Sequence, residues 1–158
     1  MFKSRRGQIR VTFTEEEAGL LKSIVREYLE LLDSAPEPGD PVRARLFPSA
    51  SLDDPTLDAD YRELSESDLD RHKRATARRV LDCLEAGGRT PLSDDEKEAW
   101  LVLLTDLRLA LGVRLGVTEE TFETFPNPHD PAQWPLAVLH YLGSLQESLL
   151  QALGAPTV

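Results

Sequence analysis

The chain has 158 residues, of which 41% are hydrophobic and 29% are charged, and its formal net charge is -10 at pH 7. This length suits one domain spanning residues 1–158, and the leucine-rich apolar content favours helix packing over a sheet. The single cysteine, Cys83, excludes a framework of intrachain disulfides, and charges interrupt the longest apolar stretch, which excludes a membrane span. We therefore expect a cytoplasmic protein that does not enter a membrane.

The amino-terminal segment, residues 1–13, combines a strand pattern with positive charge. Residues 8–13 alternate polar and apolar side chains, and Arg6-Gly7 could turn them back on residues 1–4 as a short hairpin. The alternative is a frayed terminus. The segment contains no acid and four bases: Lys3, Arg5, Arg6 and Arg10.

Two helices are predicted in the first half of the chain. A capping box from Thr14 to Glu17 opens the first, which should run to about Asp33 with an apolar stripe on one face. Residues 42–51 are ambiguous, with a short helical turn as one interpretation. Eight acids in residues 52–70 indicate a solvated acidic face. The second helix should begin near Ser67 and end before Gly87.

Two further helices are predicted in the second half. Ser93 to Glu96 resemble a second capping box, and the segment that follows to Leu115 is apolar on every side, which is typical of a buried central helix. The last helix should begin near Pro135, because proline fits the first turn, and end at Gly154. The sequence predicts an all-α fold, a compact irregular bundle of about four main helices with a short N-terminal β-hairpin.

No pattern in the sequence points to catalysis, a cofactor or a metal. His72, His129 and His140 lack the short spacing of a zinc motif, and Cys83 has no second cysteine beside it. Neither a Gly-x-Ser-x-Gly elbow nor a phosphate-binding glycine loop is present. We therefore expect a protein that is not an enzyme and has neither catalytic nor metal-binding residues.

The thiol of Cys83 allows two interpretations. Acids next to it in the predicted helix disfavour the thiolate, while Arg79 one turn earlier favours it. The first interpretation is an inert, half-buried thiol. The second is a redox-sensing thiol or an intermolecular disulfide.

Charged residues inside the leucine-rich central helix need partners, because an unpaired buried charge is costly. Asp106 and Arg108 point to different sides of the helix, so they should not pair with each other. Two interpretations are open: a buried polar network that fixes helix register, or a pocket for a small anion lined by Arg108 and Arg114. The residues assigned to this network or pocket are Asp106, Arg108, Arg114 and Glu147.

A basic cluster lies in the second predicted helix and is a candidate contact for DNA or a protein partner. It consists of Arg71, Lys73, Arg74, Arg78 and Arg79. A basic helix face can follow phosphates, but it can equally pair with nearby acids or with another subunit. The negative net charge and the lack of interleaved aromatics favour pairing over DNA.

Three segments resemble an actinobacterial family. They are the amino-terminal helix from Phe13 to Leu32, the run from Ala99 to Glu120 with its Asp-Leu-Arg-Leu and Arg-Leu-Gly blocks, and the closing run from Tyr141 to Leu149. The family is DUF two-zero-one-seven, the AosR-like family. The resemblance implies genes near ClpS and cysteine-synthesis genes, and redox-responsive control of transcription through paired cysteines in some members. This chain departs there, because no second cysteine accompanies Cys83.

The leading functional prediction is a non-enzymatic regulatory protein, a transcriptional regulator of stress or of amino-acid and redox metabolism. It would act as a homodimer through protein contacts, with DNA as a weaker candidate partner. The alternative is an interaction adaptor in the Clp protease or cysteine-synthesis pathway that does not bind DNA. In that case the acidic residues 52–70 would be the docking segment.

Overall fold

A computed structural model describes residues 1–34, 39–47, 55–87, 91–118, 120, 125–127 and 129–154, with the side chains of residues 55–65 outside the description. The described part is mostly helical and carries a two-stranded antiparallel hairpin at its amino terminus. This confirms the predicted all-α fold and its N-terminal hairpin. In chain order the elements are β1 (Phe2–Arg5), β2 (Gln8–Val11), α1 (Glu15–Asp33), α2 (Pro41–Leu46), α3 (Pro55–Ala86), α4 (Asp94–Leu115), a 3-10 turn (Pro131–Gln133) and α5 (Trp134–Ala152).

Helix α4 is the centre of the bundle and packs against α2, α3 and α5. Its buried stripe includes Trp100, Leu103, Leu104 and Leu107. The prediction that this helix is wrapped on every side is wrong for its last turns. Leu109 is 40% exposed, because no other described helix covers that face.

Local signals at the helix starts act as the sequence predicts. The Thr14 hydroxyl accepts a hydrogen bond from the Glu17 amide at 3.1 Å, and the Glu17 carboxylate accepts one from the Thr14 amide at 3.3 Å. The Ser93 hydroxyl likewise accepts from the Glu96 amide at 3.1 Å. Each cap satisfies amides that the first turn of a helix leaves without partners. The short turn predicted after residue 42 is helix α2, capped by Asp40.

Helix α3 is longer than predicted. It begins at Pro55, twelve residues before the expected start at Ser67. Proline suits the first turn of a helix, and acids near a helix N-terminus interact favourably with the helix dipole, so a stretch without an apolar stripe is still helical. The acidic side chains of residues 52–65 lie outside the described residues.

The hairpin is anchored to the bundle through its inner face. The ring of Phe2 meets Trp100 edge-on with centroids 5.2 Å apart, and Ile9 and Val11 are buried beside it. The amide of Leu92 donates to the carbonyl of Ile9 at 2.8 Å. These contacts exclude the frayed terminus as an interpretation. Within the described residues, no helix is long and apolar enough to span a membrane.

Candidate functional site

The charged core of the molecule is an ionic centre formed by Tyr28, Lys73 and Asp106, from α1, α3 and α4. The Lys73 Nζ atom lies 2.7 Å from Oδ2 of Asp106, and the Tyr28 hydroxyl donates to the same oxygen at 3.2 Å. All three residues are buried. The prediction that buried Asp106 needs a charge partner is met by Lys73. As expected from the spacing, Asp106 does not pair with Arg108.

The ionic centre is held within the packing of the bundle. The Lys73 ammonium lies 6.0 Å from the ring centre of Phe47, so an aromatic face covers it. Burial, followed by the charge and hydrogen bond of Asp106, raises the pKa of the Tyr28 phenol above its usual value. Such a centre ties three helices together by charge-assisted hydrogen bonds.

The predicted basic cluster does not form one open cationic face. Lys73 belongs to the ionic centre. Arg71 pairs with Asp68 at 3.0 Å and Arg79 lies 3.6 Å from Asp95, both at exposed positions. Arg78 is exposed.

Arg74 joins α3 to the end of α1. Its guanidinium forms ion pairs with Asp33 and with Asp70 and donates to the carbonyl of Leu32 at 2.7 Å. Hydrogen bonds to Asp70 and then to Asp33 raise the pKa of the Arg74 guanidinium above its usual value. A guanidinium that already has these partners gains little from a phosphate.

Arg108 lies on the other side of α4 and faces α5. It donates to Oε1 of Gln146 at 2.6 Å, and the Gln146 amide donates to the Thr105 hydroxyl at 2.7 Å. A Cβ atom at Gly143 would lie 3.7 Å from the guanidinium, so the glycine leaves only van der Waals room above it. The partner of Arg108 is therefore Gln146, whereas Glu147, which was assigned to this network from the sequence, is exposed. This arrangement fits the polar-network interpretation for Arg108.

An apolar groove of about 450 Å³ runs between α1, α4 and α5. Arg114 lines it and Arg108 does not, so the two arginines do not form the anion pocket considered from the sequence. Glu27 lines it as well. The apolar wall includes Leu20, Ile24, Leu31, Leu107, Leu111 and Trp134.

The groove was missed from the sequence, although two signals pointed to it. Leu20 and Trp134 are large apolar residues that lie beside, not on, the predicted buried stripes. Their exposures are 42% and 56%, and both side chains line the groove, so together they add to one exposed apolar patch. Large apolar residues that lie outside a helix's predicted buried stripe therefore indicated the exposed surface of this groove.

Cys83 lies where α3 meets the start of α4. Its thiol donates to Oε2 of Glu96 at 3.1 Å and is half-buried. Burial, and then the hydrogen bond and charge of Glu96, raise the pKa of the thiol to about 12. A thiol in this setting carries very little thiolate at neutral pH, which favours the inert interpretation.

The described residues contain no group of three or more His, Cys, Asp or Glu placed to hold a metal ion. The imidazole of His140 lies 6.3 Å from the ring of Phe125, while His72 and His129 are exposed.

The fold and these contacts define a small helical protein whose central charges are tied into its own packing, with a groove and a hairpin as its open features. A family model for a domain of unknown function, DUF2017, matches residues 1–153, and the chain belongs to this family. The chain is similar to the oxidative stress regulator AosR of Mycobacterium tuberculosis strain H37Rv, with 31% identity over 180 aligned positions. That alignment covers 92% of this chain and 82% of the relative. AosR of Mycobacterium bovis shows the same identity and coverage. No solved structure matches the chain.

Proposed function

We propose that this protein is a non-enzymatic regulator of the response to oxidative stress that acts in the control of transcription. The observation that carries the proposal is the similarity to two proteins named as oxidative stress regulators over 92% of the chain. Because the alignment spans nearly the whole chain, it includes all three helices of the ionic centre.

The ionic centre supports the non-enzymatic part of the proposal. Lys73 and Asp106 are the kinds of residue that could act as acid and base, yet both are buried and each is the charge partner of the other. Catalytic groups need contact with a substrate, and these two have contact with neighbouring helices instead.

Complementation tests the proposal. The chain is expressed in a Mycobacterium tuberculosis strain that lacks AosR, and transcript induction and survival are measured after a challenge with peroxide. We expect both to return toward wild-type levels. Expression at a level equal to that of AosR with no change in either quantity would count against a shared function.

The groove favours a second candidate function, an adaptor that binds a protein partner. On α1 the groove-lining side chains Leu20, Ile24 and Leu31 recur at intervals of four and seven residues, over a length of about 16 Å. A groove of this length and composition suits an amphipathic helix from a partner, whose apolar face would cover it. Charged Glu27 and Arg114 would pair with the flanking polar residues of that helix.

The same complementation assay separates the two functions. A Leu20→Asn, Trp134→Gln variant changes two exposed side chains of the groove and should keep the fold. If adaptor binding is the function, this variant loses complementation. If the groove is dispensable, the variant complements as well as the unmodified chain.

A further inference from the structure

The outer face of the hairpin, here called the basic ribbon, is an exposed row of bases. Residues directly opposite each other in an antiparallel pair share a face, and Lys3 lies opposite Arg10 while Arg5 lies opposite Gln8. These four residues are exposed, whereas the apolar side chains of the inner face, Phe2, Ile9 and Val11, are buried against the bundle. Arg6 continues the row at the turn. The segment combines this row with a complete lack of acids in residues 1–13.

Folding alone does not account for this arrangement. Lys3 and Arg10 are like charges placed directly across the pair, which destabilises a hairpin. Arg6 has a φ of 53°, a left-handed conformation that asparagine or glycine adopts at lower cost. Lys3, Arg5 and Arg6 form no ion pair within the part of the chain that the structure describes.

The bases on α3 differ from the hairpin bases in their ion pairing. On that helix Arg71, Lys73, Arg74 and Arg79 each have a carboxylate partner. These four bases of α3 are therefore paired within the protein, whereas Lys3, Arg5 and Arg6 of the hairpin remain available. Charge that is placed at a cost and left without internal partners is expected where an external anion binds.

We propose that the basic ribbon binds the phosphate backbone of a nucleic acid. Three of the four bases are arginines, whose planar donors match phosphate oxygens in pairs. The positions of the outer face that are paired across the strands carry no apolar side chain, whereas the core of a protein–protein interface is apolar, and a protein–nucleic acid interface is polar and positive.

The geometry suits a contact that positions the protein. The bases from Lys3 to Arg6 follow the ribbon over about 10 Å, since each strand residue advances roughly 3.4 Å. The inner face stays fixed by Phe2 against Trp100, so little ordering entropy is lost when the outer face binds. Backbone contacts of this kind fix register and orientation and carry no sequence information themselves.

The net charge of -10 does not prevent this contact. At physiological ionic strength charges more than about 8 Å from the phosphates are largely screened, so the local row of bases dominates at contact. The remaining acids reduce the affinity, and the contacts between the bases and the phosphates make it fall as the salt concentration rises. The inference names a partner class for the proposed regulator, and it is tested in purified components, so its failure is separate from failure of the complementation.

The test is fluorescence anisotropy of a labelled, mixed-sequence DNA duplex with the full chain between about 50 and 200 mM salt. The ribbon variant is Lys3→Gln, Arg5→Gln, Arg6→Gly. The matched control on α3 is Arg71→Gln, Arg78→Gln, Arg79→Gln, which removes the same charge from exposed positions. Circular dichroism and thermal melting establish that both variants fold.

We expect the unmodified chain to bind at low salt and the ribbon variant to bind at least about tenfold more weakly, with a salt slope reduced by about 2 to 3. The α3 variant should retain most of the affinity. The proposal is overturned if the unmodified chain does not bind at low salt, or if the α3 variant loses as much as the ribbon variant. Displacement of the duplex by polyglutamate at equal charge would assign the ribbon to an acidic protein instead. Single-stranded DNA and duplex RNA of the same length show which phosphate backbone is preferred.

Discussion

Lys73 and Asp106 are 33 residues apart in the chain, yet their charged atoms lie 2.7 Å apart between α3 and α4. The side chains are only 8% and 11% exposed, so water screens the pair weakly. Removing one partner leaves the other charge buried without compensation, and this lowers the free energy of unfolding more than replacing both residues does.

The first prediction concerns this pair. Asp106→Asn should lower the free energy of unfolding by about 3 to 5 kcal/mol, measured by urea denaturation, because the ammonium of Lys73 loses its counter-charge. Replacing both residues with Met and Leu should cost much less than the sum of the single changes, since no charge stays buried. Asp68→Asn is the control: its pair with Arg71 is exposed and should contribute less than about 1 kcal/mol. If Asp106→Asn lowered the free energy of unfolding by less than about 1 kcal/mol, the Lys73–Asp106 pair would be accessible to water and not buried.

The second prediction concerns the phenol of Tyr28. Tyr28→Phe keeps the ring and removes a hydrogen bond to a charged oxygen, so it should cost about 1.5 to 3 kcal/mol at neutral pH. The pKa of Tyr28 is raised from 10.0, so the folded protein keeps a proton that the unfolded chain releases. The stabilisation is therefore fully present below about pH 10 and is lost as the pH rises through the folded pKa.

The measurement is urea denaturation of both proteins at a series of pH values up to about pH 11. The difference in unfolding free energy between the two proteins should be constant near neutrality and shrink above about pH 10. A difference that grows with pH in that range would mean that the phenol is ionised in the folded protein.

Local features of the fold could be read from the sequence because they depend on neighbours. The capping box at Thr14, the turn at Gly7 and the opposite directions of Asp106 and Arg108 on α4 all follow from spacing within one element. The start of α3 at Pro55 was missed because its first turns carry acids instead of an apolar stripe. Helix-end signals would have placed it better than hydrophobic periodicity.

The ionic centre could not be found in the same way. Lys73 stands among bases and next to an acidic run, so its local sequence indicates a solvated or DNA-binding side chain. Its burial depends on how α3 is rotated against α4, which is a property of the packed bundle. The groove depends on the packed bundle in the same way, because Leu20 on α1 and Trp134 on α5 line one groove only once the helices are assembled.

The third prediction uses three glycines with different backbones. Gly19 and Gly112 lie inside α1 and α4 with open space at the Cβ position, so replacing either with alanine should stabilise the protein by about 0.5 to 1 kcal/mol. Gly116 ends α4 with a φ of 62°, a left-handed conformation. Gly116→Ala should therefore destabilise by roughly 1 to 2 kcal/mol. Thermal melting of the three variants checks the signs, and a destabilised Gly112→Ala would indicate a close neighbour at that helix face.

The last prediction asks whether Cys83 can take part in a response to oxidants. With a pKa near 12 instead of 9.0, its thiolate fraction at pH 8 is about a thousandfold lower than in the unfolded chain. The greater nucleophilicity of a more basic thiolate offsets part of this, so an aromatic disulfide reagent should react about 30- to 50-fold more slowly with the folded protein.

Glu96→Gln should speed that reaction severalfold, because the amide keeps a hydrogen-bond acceptor and removes the negative charge beside the thiol. The increase is partial, since burial contributes more to the raised pKa than Glu96 does. Asp95→Asn is the control: Asp95 pairs with Arg79 and should leave the rate unchanged. Equal rates for folded and unfolded chains would restore Cys83 as a redox sensor. Slow reaction of Cys83 in the folded protein would mean that a stress regulator with this sequence receives its signal through a binding surface and not through the Cys83 thiol.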